Sequence, residues 1–414
     1  MNNEIHQRNV NKIECHTCGY LHDYQITEIS GKVRCIHCDE IIFNNSNHWL
    51  QKVIALTLSS IIFFIISNFS PFLIIELGGV SYQTNLLSGV SAMLTRDQYL
   101  LSLLIISTIF IFPLLEIISL SYLSISYLLK KKAVGQKFIL GLITVLRPWS
   151  MLEIFLLSIV IALVKMNDFF TLIPGPALLS LFALVFCLLA ANKLLHKKEL
   201  WDFISSKNIF FYNKENRLMA CKYWDALNDI LIVRDSGHCC RCHKSIHERK
   251  PMSMQKTFAL TLAACVLYIP ANTFPMLHST RIGDTQSDTI ISGVLHLMQS
   301  GLWSLAIIVF IASVFVPVLK IITMLWLLYS VKIKSTTWLK QKTWLYRMIE
   351  TIGRWSMVDV FVVILLVALV QFGFIANVEA GIAVLAFCGV VILTMLATEA
   401  FDPRLLWDIE YDRK

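Results

Sequence analysis

Charge is scarce in this chain. Only 15% of its 414 residues are Asp, Glu, Lys or Arg, against about 25% in ordinary soluble proteins, while 56% are hydrophobic and the mean hydropathy is +0.64. Too little polar surface remains to face water, so a soluble globular protein is excluded and an integral membrane protein is predicted. The first 48 residues hold no long apolar run, which argues against a cleavable signal peptide and leaves the first helix to direct insertion. No G-x4-G-K-[ST] loop is present, so ATP hydrolysis in this chain is not expected. Cysteine is missing from the odd-numbered loops defined below, which weighs against a membrane thiol oxidoreductase. No catalytic residue is assigned, and the chain is read as a non-enzyme.

Eight stretches are apolar and long enough to cross a hydrocarbon core of roughly 30 Å, which takes about 20 helical residues. They lie near 50-67, 98-129, 148-166, 173-194, 252-272, 301-330, 355-372 and 378-399. Loops 68-97, 167-172 and 273-300 carry only Arg96 and Arg281 as basic residues, whereas 130-147, 193-256 and 331-354 are rich in Lys and Arg. The positive-inside rule then puts both termini in the cytoplasm. It also accounts for most of the net charge of +8 as topology, so nucleic acid is not an expected partner.

What is present is present twice. Leu50-Gln51-Lys52 returns as Met254-Gln255-Lys256, and Pro71, Ser88-Gly89-Val90 and Pro113 return 204 residues later as Pro275, Ser292-Gly293-Val294 and Pro317. Trp149-Ser150-Met151 and Trp201-Asp202 return 206 residues later as Trp355-Ser356-Met357 and Trp407-Asp408. Duplicated membrane halves are a common transporter design. The predicted organisation is all-α: a cytoplasmic ribbon over 1-48, four helices over 49-204, a second, degenerate ribbon over 205-251, and four more helices over 252-414. Pro113 and Pro317 predict kinks, the two longest outward loops predict small hairpins, and 335-349 predicts a helix lying in the inner interface. Trp201 and Trp407 are expected in the interfacial aromatic belt.

Each half follows a cysteine cluster. Cys15-x2-Cys18 and Cys35-x2-Cys38, separated by 16 residues, have the spacing at which two knuckles supply four thiolates to tetrahedral zinc. The second cluster offers Cys221, Cys239 and Cys242 but has Trp224 where a knuckle needs cysteine. Cys240, His238 or His243 would have to complete a metal site there; the alternative is a ribbon held by packing alone. Cys187, Cys265 and Cys388 fall in apolar stretches and read as small hydrophobes.

The halves differ in their intramembrane charges. The first has Glu116 and Glu153; the second has Lys320 and Asp359 at the matching places. Ionisable groups there cost about 2.5 to 3.5 kcal/mol on insertion scales, so they are paired or functional. The i, i+3 spacing puts Ser356 and Asp359 on one helical face. A rise of about 1.5 Å per residue puts Ser313, Lys320, Ser356, Asp359 and Thr394 within reach of one polar pocket. Two readings stay open: a structural ion pair, or a protonatable transport site.

The two knuckles, the Asn-x-x-Pro at the end of helix one, the box Arg354-Trp355-Ser356-Met357-x-Asp359 and the closing Asp402-Pro403-Arg404-Leu405-x-Trp407-Asp408 resemble the paraquat-inducible protein A family. The resemblance covers nearly the whole chain. It implies two tetraspanin-like four-helix modules, each with a zinc ribbon, in the inner membrane of a Gram-negative bacterium. It also implies lipid transport between the two membranes, through a periplasmic tunnel made by an MCE-domain partner. By motif, the functional polar residues fall at Ser313, Lys320, Ser356, Asp359 and Thr394. Two rival readings are a membrane-anchored redox or stress sensor using the knuckles, and a passive scaffold for the MCE partner.

Overall fold

The computed structural model describes residues 12–15, 17–23, 32–44, 48–77, 80–85, 91, 94, 99–131, 135–167, 171–195, 200, 203–204, 218–221, 227–229, 237–239, 245–247, 249–281, 284–299, 301, 303–335, 337–369 and 376–408. Two short hairpins open the chain, β1 (Lys12–Glu14) with β2 (Leu21–Asp23) and β3 (Lys32–Arg34) with β4 (Ile41–Asn44). The first half then runs through α1 (Trp49–Phe69), the hairpin β5 (Leu73–Leu77) and β6 (Val80–Thr84), and α2 (Tyr99–Ile105). A π-helical stretch, Ile106–Ile111, leads into α3 (Phe112–Leu128), followed by α4 (Gln136–Leu146), α5 (Leu152–Asn167), β7 (Thr171–Pro174) and α6 (Pro176–Leu194). A short pair, β8 (Leu218–Ala220) with β9 (Leu227–Asp229), precedes the second half.

The second half repeats the order. It comprises α7 (Ser253–Thr273), β10 (Leu277–Arg281), β11 (Asp284–Asp288), α8 (Ile290–Gln299) and α9 (Trp303–Phe310). The π stretch Ile311–Phe315, α10 (Val316–Lys332), α11 (Leu339–Ile352), a 3-10 turn Gly353–Met357, α12 (Val358–Leu369), β12 (Ala376–Ala380) and α13 (Ile382–Ala400) follow. Even unusual backbone repeats: His48 and Met252 have φ of 57° and 54°, and Lys130 and Lys334 have φ of 51° and 55°. Left-handed non-glycine residues are uncommon, so their return at one offset marks the same turn built twice.

Six helical spans among the described residues are long and apolar enough to cross a membrane: Trp49–Phe69, Tyr99–Leu128, Pro176–Leu194, Ser253–Thr273, Ala306–Lys332 and Ile382–Ala400. The other two stretches expected to span form α5 and α12, helices of 16 and 12 residues that are not among those six. They form the middle of the molecule, packing on each other with Phe155 edge-on to Phe361 at 5.7 Å and Ser158 Oγ donating to the Val358 carbonyl at 3.0 Å. Every residue from Met357 to Val367 is buried, as befits a helix that is apolar on all sides.

Where kinks are expected, the helical backbone is irregular. Each proline opens an α-helix directly after a π segment. Proline has no N–H, and its ring clashes with the carbonyl four residues back; widening the preceding turn relieves both problems.

The fold is mostly helical rather than purely α, because each predicted outward hairpin gains a third strand. The sheets run β6-β5-β7 and β11-β10-β12, all antiparallel. The extra strand comes from the loop between the third and fourth helices of each half, too short and irregular in pattern to announce a strand. At both corners a glycine lets chains touch: a Cβ on Gly175 would meet the Pro71 carbonyl oxygen at 2.1 Å, and one on Gly381 the Pro275 oxygen at 2.1 Å. The Asn-x-x-Pro motif thus has a glycine partner about 100 residues downstream, set by this close approach.

Candidate functional site

The most buried amine among the described residues is the ammonium of Lys320. The residue is 1% exposed, and its Nζ donates to Thr394 Oγ1 at 2.7 Å and to the Gly353 carbonyl at 3.1 Å. Three elements build this arrangement. The π segment and proline aim α10, α13 supplies Thr394, and the turn at Gly353 breaks the helical ladder and so offers a carbonyl. Ser356 Oγ donates to the same carbonyl at 2.9 Å, so Lys320 and Ser356 share one acceptor, while Thr394 accepts from Lys320 and donates its own proton to the Val391 carbonyl. Gly353 leaves room for this, since a Cβ there would lie 3.1 Å from Lys320 Cε and 3.2 Å from Nζ.

Ser313 and Asp359 are buried on the neighbouring elements. Ser313 Oγ donates to the Val309 carbonyl at 2.6 Å, and its π segment packs on the Gly353–Met357 turn and on α12. Asp359 is 6% exposed in the first turn of α12. The matching place in the first half is built from different chemistry. Glu116, also buried, accepts from Asn192 Nδ2 at 2.5 Å, and Ser150, Arg147 and Glu153 stand close enough to act on its carboxylate.

Gly353 and Asn192 were not singled out from the sequence. A signal was available for the first, because Gly353 stands where the first copy has Arg147.

The second candidate centre is the first cysteine cluster. Sγ atoms of Cys15, Cys18, Cys35 and Cys38 all lie within 4.8 Å of one another and are buried. Cys15 and Cys38 are 3.5 Å apart, and Cys18 and Cys35 are 3.6 Å apart. These values are far beyond the roughly 2.05 Å of a disulfide and near the about 3.8 Å edge of a tetrahedron with metal–sulfur bonds of about 2.3 Å.

The electrostatics favour a cation as well. Hydrogen bonds from Cys18 and then Cys38 hold the Cys15 thiol far below its ordinary range; the same contact with Cys15 drives Cys18 far above it and Cys38 up to about 12. One thiolate therefore suppresses its neighbours, and four can coexist only around a positive ion. Cys221, which follows β8, and Cys239 are both buried, while Cys240, Cys242, His243 and Trp224 lie outside the described residues. No second metal-ligand group is present among the described residues.

The ribbon's position was not expected from its place in the sequence. It precedes the first half but docks on the second. Arg347 of α11 donates to the Cys38 carbonyl and to Cys38 Sγ, both at 3.0 Å, and its Nε lies 2.6 Å from Glu40. His37 stacks on Tyr20 at 4.2 Å and tilts against Trp407 at 5.8 Å. Trp407 is therefore no belt residue: it is 3% exposed, with its indole N–H donating to Thr343 Oγ1 at 3.0 Å. Trp201 lies outside the described residues.

The closing box completes the clasp. Arg404 reaches Glu14 of β1 at 3.3 Å. Asp402 accepts from the backbone N–H groups of Lys250 at 3.1 Å and Arg404 at 3.2 Å. Arg249 pairs with Asp408, Nε to Oδ2 at 2.9 Å.

The family model for paraquat-inducible protein A matches the chain twice, over residues 50–205 and 254–410. The chain belongs to the paraquat-inducible protein A family. It is 31% identical to the lipophilic envelope-spanning tunnel protein A of Escherichia coli K12, over 95% of this chain and 90% of that protein. Identity to the intermembrane transport protein PqiA of the same organism is 28%, over 97% of each. A probable intermembrane transport protein of Haemophilus influenzae is 27% identical over 97% of this chain and 96% of its own length. No solved structure matches. Membership accounts for the double copy, since the family model fits each half. It also agrees with a multi-pass membrane protein whose relatives are named as transport proteins.

Proposed function

We propose that this protein is the inner-membrane subunit of a lipid transport system. In this reading it has eight spans in two tetraspanin-like modules, with both termini and the ribbons cytoplasmic. It hands lipids between inner and outer membranes through a periplasmic MCE-domain partner. The observation that carries the reading is the sealed lysine of the second half, held by Thr394 and the Gly353 carbonyl within a membrane-spanning helix. Such a charge is costly to maintain for packing alone and marks transport pathways. The names of the relatives, an envelope-spanning tunnel protein and an intermembrane transport protein, support transport between membranes. Ser313, Lys320, Ser356, Asp359 and Thr394 form the coupling site, and Lys320 with Asp359 would carry a proton or ion if transport is driven here.

Zinc fits the first ribbon, where Cys15, Cys18, Cys35 and Cys38 would hold it as a fold-stabilising ion. The second ribbon uses Cys221, Cys239 and Cys242 with a fourth ligand, or packing alone.

The test is purification with whatever partner and lipids accompany the protein, and measurement of lipid transfer by Asp359→Asn. The variant should remain folded in the membrane and lose transfer; full transfer by that variant would sink the coupling site. Metal analysis should find about one zinc per chain lost in Cys15→Ser; metal-free wild type with an intact ribbon would refute the zinc assignment.

A further inference from the structure

A cavity of about 510 Å³ opens between the two halves at the ribbon end of the helices, well inside the about 300–1,000 Å³ range of small-molecule sites. Its polar lining is lopsided. Glu116 and Glu153 enter from the first half, and Glu350 and Glu399 from the second, against two cations, Arg147 and Lys250. Lys250 spends its ammonium on the Glu399 and Phe401 carbonyls, both at 2.6 Å. Arg147, exposed at the end of α4, is thus the guanidinium presented among four carboxylates. Val185, Leu188 and Leu189 of α6 and Met395 and Leu396 of α13 add an apolar strip, beside the neutral polar groups of Ser150, Asn192, Thr351 and Thr398.

We infer that this cavity binds the headgroup and proximal acyl region of an aminophospholipid, a refinement that rests on the transport reading above. Arg147 takes the phosphate, since guanidinium is the side chain best matched to it. Glu153 and Glu350 take the primary ammonium through charge-assisted hydrogen bonds. The apolar strip between α6 and α13 carries the first methylenes, a surface that a free headgroup would leave wet. An anionic headgroup such as phosphatidylglycerol brings the phosphate without the ammonium, and so adds a negative charge to a lining that already sets four carboxylates against two cations.

The location gives the cavity a link to the buried lysine. Gly353 lines it, and the carbonyl of that same residue holds Lys320. A headgroup seated here lies one peptide away from the coupling site, separated from it by the Gly353–Met357 turn.

The test uses the full-length chain in nanodiscs containing equal phosphatidylethanolamine and phosphatidylglycerol, with retained lipid read by native mass spectrometry. Wild type should retain phosphatidylethanolamine over phosphatidylglycerol by about tenfold, equivalent to one or two charge-assisted hydrogen bonds. Arg147→Gln and Glu153→Gln should bring the ratio to near one while keeping the wild-type melting temperature. Equal retention in wild type, or an unchanged ratio in both variants, overturns the inference. A soluble arm adds O-phosphoethanolamine: weak displacement supports a lipid site, whereas full displacement at low concentration means a headgroup-only site and overturns it.

Lipid transfer measured on the same proteins separates the two ideas. Normal transfer without selective retention sinks this site alone. Selective retention with no transfer under any partner sinks the transport reading and leaves the site standing.

Discussion

The two halves share a scaffold and disagree about charge. Glu116 and Lys320 occupy the same place after equivalent prolines, and Arg147 and Gly353 the same place before equivalent Trp-Ser-Met boxes. In the first half the cationic group sits on the turn and the anionic one on the helix, and both line a cavity. In the second the cation has moved to the helix, and the turn has shrunk to glycine to admit it. The exchange converts an open polar wall into a closed socket. One fold can therefore present an open polar cavity on one side and a buried lysine on the other, with the difference carried by two positions.

The largest test of this contrast is Lys320→Met against Glu116→Gln. The lysine variant should lower lipid transfer by at least about a hundredfold, and the glutamate variant by about threefold or less, on the usual conversion of activity ratios to free energy. Equal losses would mean that the halves are functionally alike. Where the halves are alike in structure, they should fail alike. Gly175→Ala and Gly381→Ala each force a methyl onto a proline carbonyl, and each should destabilise the protein by about 1–3 kcal/mol, read as matching drops in melting temperature; a tolerant corner in either half would break the equivalence.

The smallest effect concerns a device confined to the second half. Burial would raise the Asp402 carboxyl, but the Arg404 charge and the N–H groups of Lys250 and Arg404 win and hold it below its ordinary value of 3.8. A carboxylate with its folded pKa depressed stabilises the protein fully above that ordinary value, and the stabilisation fades as pH falls through the folded pKa. Asp402→Asn should cost about 1 kcal/mol at neutral pH and flatten the acid limb of a melting-temperature profile below about pH 4. An unchanged acid limb would deny Asp402 that role.

Much of this was legible in the sequence because membranes and metals impose strict grammar. Apolar length announced the helices, the two proline positions announced the irregular turns, and C-x2-C spacing announced the four converging thiols. Charge in an apolar run and helical depth singled out five polar residues of the second half; two of them, Lys320 and Ser356, donate to one carbonyl, and Thr394 accepts from Lys320. That carbonyl was not legible, because a backbone acceptor leaves no mark in the side-chain code. The third strand of each sheet was missed because β7 and β12 take their pairing from a distant hairpin rather than from their own pattern. Trp407 read as a belt residue because tryptophan beside basic residues at a helix end usually is one; the ribbon that covers it comes from the opposite end of the sequence.

That covering has a consequence for how the molecule is made. Chains emerge amino end first, so the Cys15–Cys38 ribbon is synthesised long before the surface that receives it. Arg347 follows Cys38 by 309 residues, and Arg404 follows Glu14 by 390. Throughout that interval the ribbon has only its own small core and its thiols to hold it. Its docking is a late event in assembly, available only after both halves have been threaded in register. The clasp between Glu14 and Arg404 thereby acts as a seal on a finished molecule, and a chain stalled before its closing box would hold the ribbon through Arg347 without that seal.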